Sequence, residues 1–269
     1  MTYGWAILVI AVVLGVLYSL GIFSPSNFAP KASPGSCQIF RPNGPGTNYD
    51  INLEGTCSGE LPEYTAQFNG ASAYISLSSS APSKSYTQLS VSAWVTKPAD
   101  TSRNEILNFF GFYFNVQQGN EACLYVNNIN TGYLCSTPSL ISGYNFLTAT
   151  LNGSTETVYV NGKLSNTTTV SGTGSGVLGG TVGVCSYCGN TDYFDGQIAN
   201  IQFYNASLNQ NSITALYDEG IGGAPVDIQN LVDWWPLNGN ANDYSGNNND
   251  GVPTNVLFTG SWQSGYTSP

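Results

Sequence analysis

The sequence has no histidine, a single methionine and few charged side chains. Lys and Arg together number 6 and Asp and Glu 16, which gives a net charge of −10 over 269 residues. The absence of histidine removes the commonest general base and the commonest transition-metal ligand. Because so few cations are available to neutralise phosphates, the composition excludes nucleic acid as a partner. What remains is a surface that is polar but uncharged, as in many extracellular β-proteins.

Charge is also missing from the start of the chain, where the first charged side chain is Lys31. Residues 1–23 are almost entirely apolar and predict one long N-terminal hydrophobic α-helix. As a helix, residues 3–23 would be roughly 30 Å long, which matches the hydrocarbon thickness of a bilayer. Small side chains recur every fourth position and would form a stripe suited to close helix packing, at Ala11, Gly15 and Ser19.

Three interpretations of residues 1–23 compete. A cleaved signal peptide normally has a basic start and a shorter apolar run, and neither is present. A plain membrane anchor fits the length. The third is a helix packed with copies of itself in a filament core, because TYGWAILVIAVVL resembles the N-terminal helix of archaeal type IV pilin-like proteins. That family's basic leader is absent, so we expect the chain to be processed or to begin at an internal Met.

The remainder predicts one β domain behind a short linker. Prolines at 25, 30 and 34 make residues 24–36 a stiff linker, and residues 37–269 form the domain. Apolar and polar residues alternate in TAQFNG, AYISL, LSVSAWVTK, EACLYV and GQIANIQFY, which is typical of strands. Asn161-Gly162 predicts a hairpin turn. NSITALYDEG predicts one short helix, with Asn211 or Ser212 as its N-cap and Gly220 as its end.

Several of these segments together resemble a laminin-G-like jelly roll of the concanavalin A-like class. FNGASAYISL, LSVSAWV, TVYVNGKL and FDGQIANIQFYNASLNQNSITALY carry the resemblance over most of residues 64–217. The resemblance implies an all-β, antiparallel two-sheet jelly-roll sandwich. The family's opening strand usually precedes the FNG segment, but its residues stand here at the far end, as LVDWWPLNGNANDYSGNNNDG. We therefore expect a circularly permuted order, with residues 231–237 pairing with the strands of residues 64–77. A strand exchanged between subunits would satisfy the same sheet.

The six cysteines predict disulfides in an oxidising, extracellular compartment. The pairs expected from their spacing are local: Cys37–Cys57, Cys123–Cys135 and Cys185–Cys188. Cys185 and Cys188 also form a CxxC, whose alternative interpretation is redox or zinc chemistry.

The fold that the resemblance implies is shared by glucanases, lectins and adhesion modules, so function must come from the residues. Glucanases of this class place two carboxylates two residues apart on one strand face. None of the 16 acidic residues has that spacing, so we expect no enzyme, no catalytic residue and no required cofactor. Carbohydrate binding or adhesion remains.

Two kinds of surface site are also predicted. Residues 238–250 are dense in oxygen donors, and similar loops of the resembling family sometimes hold calcium, which makes Asn242, Asp243 and Asp250 candidate ligands. The alternative is a turn-rich loop that uses Asn and Gly for their backbone freedom. N-glycosylation sequons begin at Asn152, Asn166 and Asn205.

The sequence thus predicts an extracellular structural subunit of a type IV pilus-like or adhesion filament. Its helix would pack with copies of itself in the polymer core, after a membrane-inserted stage, and its jelly roll would face outward toward cell-surface carbohydrate. The alternative is a monomeric, membrane-anchored, lectin-like protein of the cell surface.

Overall fold

The computed structural model describes residues 62–77, 84–96, 98, 102–109, 111–129, 132–172, 174–176, 179–260 and 266. All of them belong to one compact unit. Among these residues, no helix is long and apolar enough to cross a membrane. The predicted helix of residues 1–23 with its stripe at Ala11, Gly15 and Ser19, the linker, and the pair Cys37–Cys57 lie outside the described residues.

The described part of the chain is an all-β fold with one α-helix and two short 3₁₀ turns. The strands are β1 (Thr65–Asn69), β2 (Tyr74–Leu77), β3 (Lys84–Tyr86), β4 (Gln88–Thr96), β5 (Asn104–Phe109), β6 (Phe112–Gln117), β7 (Glu121–Val126), β8 (Leu134–Cys135), β9 (Tyr144–Asn152), β10 (Thr155–Val160), β11 (Lys163–Thr169), β12 (Gly174–Gly176), β13 (Gly180–Val182), β14 (Asp195–Tyr204), β15 (Leu231–Trp235), β16 (Gly251–Thr254) and β17 (Leu257–Thr259). The helix α1 is Gln210–Asp218, and the 3₁₀ turns are Ser186–Cys188 and Ile228–Asn230.

Two antiparallel sheets form the sandwich that the sequence predicts. The first sheet has the order β11-β10-β9-β4-β14-β1-β17, with β15 also paired to β14. The second sheet has the order β16-β2-β13-β5-β6-β7-β8. The turn between β10 and β11 is at Asn161 and Gly162, both with positive φ (49° and 73°), as an Asn-Gly hairpin requires.

The core lies between the two sheets and follows the alternation of the strands. Along β4, Leu89, Val91, Ala93 and Val95 all face this core, as the sequence predicts. Phe112 and Phe114 of β6 reach it from the second sheet. A core of this size is the main source of the domain's stability, because apolar burial contributes about 25 cal/mol for each Å² removed from water.

The outer face of the first sheet is covered by α1. Trp94 of β4 lies there, stacked on Tyr217 with ring centroids 5.7 Å apart, among buried Ile213 and Leu216 of the helix. The helix begins two or three residues earlier than predicted, because the side chain of Asn209, and not that of Asn211 or Ser212, accepts the Ser212 N–H at 3.0 Å. Gly220 follows the last turn with φ of 80°, which confirms it as the stop.

The C-terminal segment adds strands to both sheets. The prediction that residues 231–237 pair with the strands of residues 64–77 is wrong. β15 pairs with the second half of β14, where Ile201 lies opposite Trp235, whereas β1 pairs with the first half of β14. β14 is ten residues long, so one edge of it accommodates both short strands in line. The strands of residues 64–77 pair instead with later parts of the segment, β1 with β17 and β2 with β16.

Candidate functional site

The outer face of the second sheet carries the candidate site. Along a strand, successive side chains point to opposite faces. Because Phe112 and Phe114 face the core, Tyr113 between them points outward, and so does Tyr125, which lies opposite Tyr113 on β7. The helix α1 packs on the outer face of the first sheet around Trp94, whereas Tyr113 and Tyr125 lie on the outer face of the second sheet.

Four tyrosines adjoin one another on that face, and we call them the tyrosine surface: Tyr113, Tyr125, Tyr133 and Tyr187. The ring of Tyr113 lies 5.7 Å from that of Tyr125 and 6.5 Å from that of Tyr187, and Tyr125 lies 5.3 Å from Tyr133. Tyr187 is 60% exposed and Tyr133 36% exposed. Each ring presents an apolar face together with a hydroxyl that can donate or accept a hydrogen bond.

An ion pair borders the tyrosine surface. Arg103 lies over the Tyr133 ring, with its guanidinium carbon 5.9 Å from the ring centroid, and Nη1 donates to the Tyr133 hydroxyl at 3.1 Å. Its Nε donates to Asp192 Oδ2 at 2.8 Å, and its Nη2 contacts the same oxygen. Nη2 also points at Cys188 Sγ, 3.3 Å away. The guanidinium is therefore paired with a carboxylate and fixes the position of Tyr133.

A buried carboxyl lies beneath this surface. Glu105 of β5 is fully buried, and Asn115 Nδ2 donates to its Oε2 at 3.3 Å. Its other oxygen, Oε1, has no hydrogen-bond partner. Burial raises the pKa of Glu105 to about 8, against lowering effects of Arg103 and the Asn115 hydrogen bond. The group is thus held largely as the neutral acid at neutral pH, in which form it is also a donor.

This burial predicts a pH dependence of stability. The unfolded chain releases the Glu105 proton near its ordinary value of 4.5 and the folded chain only near 8, so folding takes up a proton between those values. The free energy of unfolding should therefore fall as pH rises through this window, by at most about 1.4 kcal/mol per pH unit, and level off above it. Asp233, whose burial raises its pKa to about 7, should add a change of the same sign.

Urea unfolding at about pH 5 and about pH 9 measures this change. In Glu105→Gln the fall should be smaller, because the amide cannot ionise. A wild-type domain that gained stability over this range would contradict the assignment.

Both described disulfides hold parts of the tyrosine surface, and both are pairs predicted from the sequence. Cys123–Cys135 joins β7 to β8, one strand carrying Tyr125 and the other preceded by Tyr133. Cys185–Cys188 closes the 3₁₀ turn that presents Tyr187. Because zinc binding requires thiolates, the disulfide form of the CxxC favours the structural interpretation over zinc.

A cleft of about 490 Å³ adjoins the tyrosine surface at Tyr133. Its walls are Ile129 and Leu134 on one side and residues 168–171 on the other. A chain-like ligand lying across the rings could continue into it.

The predicted calcium ligands form a loop closed by the protein's own hydrogen bonds. Asp243 is fully buried, and its Oδ1 accepts the backbone N–H groups of Trp234 and Ser245 at 3.1 and 2.8 Å. Its Oδ2 accepts the Ser245 hydroxyl at 2.9 Å and the Asn249 N–H at 3.0 Å. Donor hydrogens thus surround both oxygens where a cation would have to bind. Asp250 Oδ1 accepts the Asp243 N–H at 2.8 Å, and Asn242 N–H is bound by Asn240. The arrangement does not fit calcium and favours the alternative of a turn-rich loop.

The three sequons differ in how exposed the asparagine is and in whether its side-chain nitrogen is hydrogen-bonded. Asn152 and Asn205 are exposed. Asn166 is half-buried, and its Nδ2, the atom that a glycan would occupy, donates to the Cys135 carbonyl at 2.8 Å. We therefore expect modification at Asn152 and Asn205 ahead of Asn166. Asn205 lines a second cleft, of about 660 Å³, that a glycan on it would partly cover.

Sequence reasoning did not single out the residues that meet at this surface, which are Tyr113, Tyr125, Tyr133, Tyr187, Arg103 and Glu105. The alternation of FYFNV and CLYV places Tyr113 and Tyr125 opposite the core, and this signal was available. Tyr133, Tyr187 and Arg103 come from loops, so only the folded chain brings them together.

Comparison with solved structures shows the fold. A protein from Bacteroides ovatus described as carbohydrate-binding matches with a TM-score of 0.58 at 13% identity, over 74% of this chain and 60% of that one. A heptameric pentraxin from Limulus polyphemus matches with a TM-score of 0.46 at 15% identity, over 60% of this chain and 84% of that one. Domains LG4-5 of the mouse laminin α1 chain match with a TM-score of 0.42 at 13% identity, over 57% and 44%. The search of curated protein sequences found no significant match.

A family model gives the stronger result. The model named Laminin_G_3, of the concanavalin A-like lectin/glucanases superfamily, matches residues 69–214, which is more than half of the chain. Its range runs from the end of β1 into α1 and contains the whole of the tyrosine surface. The chain therefore belongs to the concanavalin A-like lectin/glucanases superfamily.

Proposed function

We propose that this chain is a lectin-like, carbohydrate-binding protein of the cell surface, with the tyrosine surface as its binding site. The observation that carries the proposal is the grouping of four tyrosines, two of them exposed, on a sheet face that α1 leaves open. Sugar rings have apolar C–H faces edged by hydroxyls. An aromatic ring with a polar tip complements both, because it offers apolar contact and hydrogen bonds at once.

The proposed role is binding without catalysis. Glycoside hydrolysis uses two carboxyl groups that flank the scissile bond, one as an acid and one as a nucleophile or base. At the tyrosine surface, Glu105 is buried beneath the rings and Asp192 is bound by Arg103. Neither carboxyl group is free to reach a glycosidic oxygen.

The test is carbohydrate binding by the full-length protein in mild detergent, on an array of oligosaccharides followed by calorimetry on those retained. Tyr133→Ala and Tyr187→Ala should each weaken binding about tenfold, since an exposed aromatic ring that a ligand covers contributes on the order of 1–2 kcal/mol to binding. Leu164→Ala and Leu257→Ala are matched controls, because these side chains are 57% and 69% exposed on edge strands of the first sheet. Equal losses in all four variants, or no retained oligosaccharide, would overturn the proposal.

We propose further that residues 1–23 assemble the protein into a filament, with the lectin-like domain displayed outside. The support is in the sequence: an uncharged apolar run with Ala11, Gly15 and Ser19 at a four-residue spacing. When identical subunits bind head to tail and the rotation between neighbours does not close a ring, they form a helical polymer. The other candidate is a monomer anchored in the membrane by the same residues.

Electron micrographs of the full chain without detergent separate these two candidates. Replacing Ala11, Gly15 and Ser19 together by Leu should abolish fibres if the residues pack helix against helix, whereas Ala6→Leu, which lies off this spacing, should leave them intact. A protein that forms no fibres at any concentration and needs lipid to stay dispersed would support the membrane anchor.

A further inference from the structure

Arg103, the cation at the border of the tyrosine surface, is already paired with the carboxylate of Asp192. Arg103 offers five N–H donors in a planar fork, the geometry that recognises carboxylates and sulfates. Here the Nε and Nη2 hydrogens are directed at Asp192 and Cys188, and Nη1 binds the Tyr133 hydroxyl. The side chain of Asp192 is only 22% exposed, so the ion pair is partly shielded from water.

The described surroundings of the tyrosine surface add no further positive charge. Among the described groups, those that act electrostatically on Arg103 and Tyr133 include the acids Glu105 and Asp192 and no further base. The protein as a whole carries a charge of −10. Among the described residues of this surface, an anionic sugar would therefore find no unpaired cation, and the net negative charge of the protein would repel it.

From this pairing, together with the tyrosine surface, we infer that the site takes neutral glycans and rejects glycans bearing carboxylate or sulfate groups. This inference rests on the proposed function and specifies its ligand class. Neutral sugars meet the rings through their C–H faces and the tyrosine hydroxyls through their own hydroxyls, and they do not need a free guanidinium. Asp192 is the residue that determines this specificity, since it occupies the fork that an anionic group would need.

The preference for neutral glycans is tested by comparing oligogalacturonates with their methyl esters, which differ in charge but not in the sugar. Arrays carrying neutral hexose oligosaccharides, oligogalacturonates, the methyl esters of the same oligogalacturonates, and heparin oligosaccharides are probed with the full-length protein at low and high salt. We expect retention confined to uncharged glycans and unchanged by salt, because no ion pair forms on binding. Retention of anionic glycans that salt abolishes would overturn the inference and leave carbohydrate binding standing. Retention of nothing would overturn both.

A single substitution should let the site bind anionic glycans. Asp192→Asn removes the carboxylate that holds Arg103, and Asn tolerates the backbone here, where φ is +60°. The freed guanidinium should increase affinity for oligogalacturonate about tenfold, in a salt-dependent way. Asp218→Asn, at the exposed end of α1, removes the same charge away from the site and should change nothing. If Asp192→Asn melts as the wild type does but gains no anionic ligand, or if Asp218→Asn gains the same affinity, then the pairing of Arg103 does not set the specificity.

Discussion

A chain truncated after Ala224 is expected not to fold. The deletion removes β15, β16 and β17, so it uncovers the second half of β14 and one edge each of β1 and β2. It also removes Trp235, which is 1% exposed and packs edge-on against Phe109 with ring centroids 5.7 Å apart. Losing a large buried side chain alone costs about 3–5 kcal/mol, which approaches the whole stability of a domain. Three open sheet edges would further promote aggregation.

Circular dichroism and urea unfolding of the truncated protein measure this outcome, and no cooperative transition should be seen. A chain ending at Gly260 is the control. It keeps every described strand and loses, among described residues, Tyr266, whose ring packs on Trp94 and whose hydroxyl accepts the Ile221 N–H at 3.2 Å. This control should fold with reduced stability. A soluble chain ending at Ala224 that unfolds cooperatively would show that the C-terminal strands are dispensable.

Asp243→Asn is expected to cost about 3 kcal/mol or more of folding free energy, since it leaves buried donors without acceptors. The carboxylate of Asp243 accepts four hydrogen bonds, three of them from backbone N–H groups. An amide presents only one oxygen, so its NH₂ group must face donors on the other side. The loop would lose the contacts that hold it against β15, including the hydrogen bond from Trp235 Nε1 to the Asn249 carbonyl at 2.9 Å.

Urea unfolding of Asp243→Asn and of Asp250→Asn, each with calcium and with a chelator, compares the two interpretations of this loop. Asp250 is exposed, and an Asn there keeps an oxygen for the Asp243 N–H, so its cost should stay under about 1 kcal/mol. Chelation should leave the wild type unchanged. If the chelator destabilised the wild type as much as Asp243→Asn does, the loop would be a calcium site after all.

The sequence by itself determined the elements and much of the local chemistry of this protein. Alternation along LSVSAWV sent Leu89, Val91, Ala93 and Val95 to the core, because side chains of a strand alternate between its faces regardless of what it pairs with. The hairpin at Asn161-Gly162 and the disulfides Cys123–Cys135 and Cys185–Cys188 were likewise predictable, since each depends on residues a short distance apart in the chain.

Only the tertiary structure decided which strands are neighbours and where the site lies. The pairing of β15 with β14 depends on the length of β14, which accommodates β1 and β15 in line, and alternation does not encode that choice. The tyrosine surface joins Tyr113 and Tyr125 from adjacent strands to Tyr133 and Tyr187 from two separate loops. Arg103 pairs with Asp192 across 89 residues. Such contacts are long-range, because they follow from how the sheets and loops pack, and local patterns in a single sequence carry no record of them.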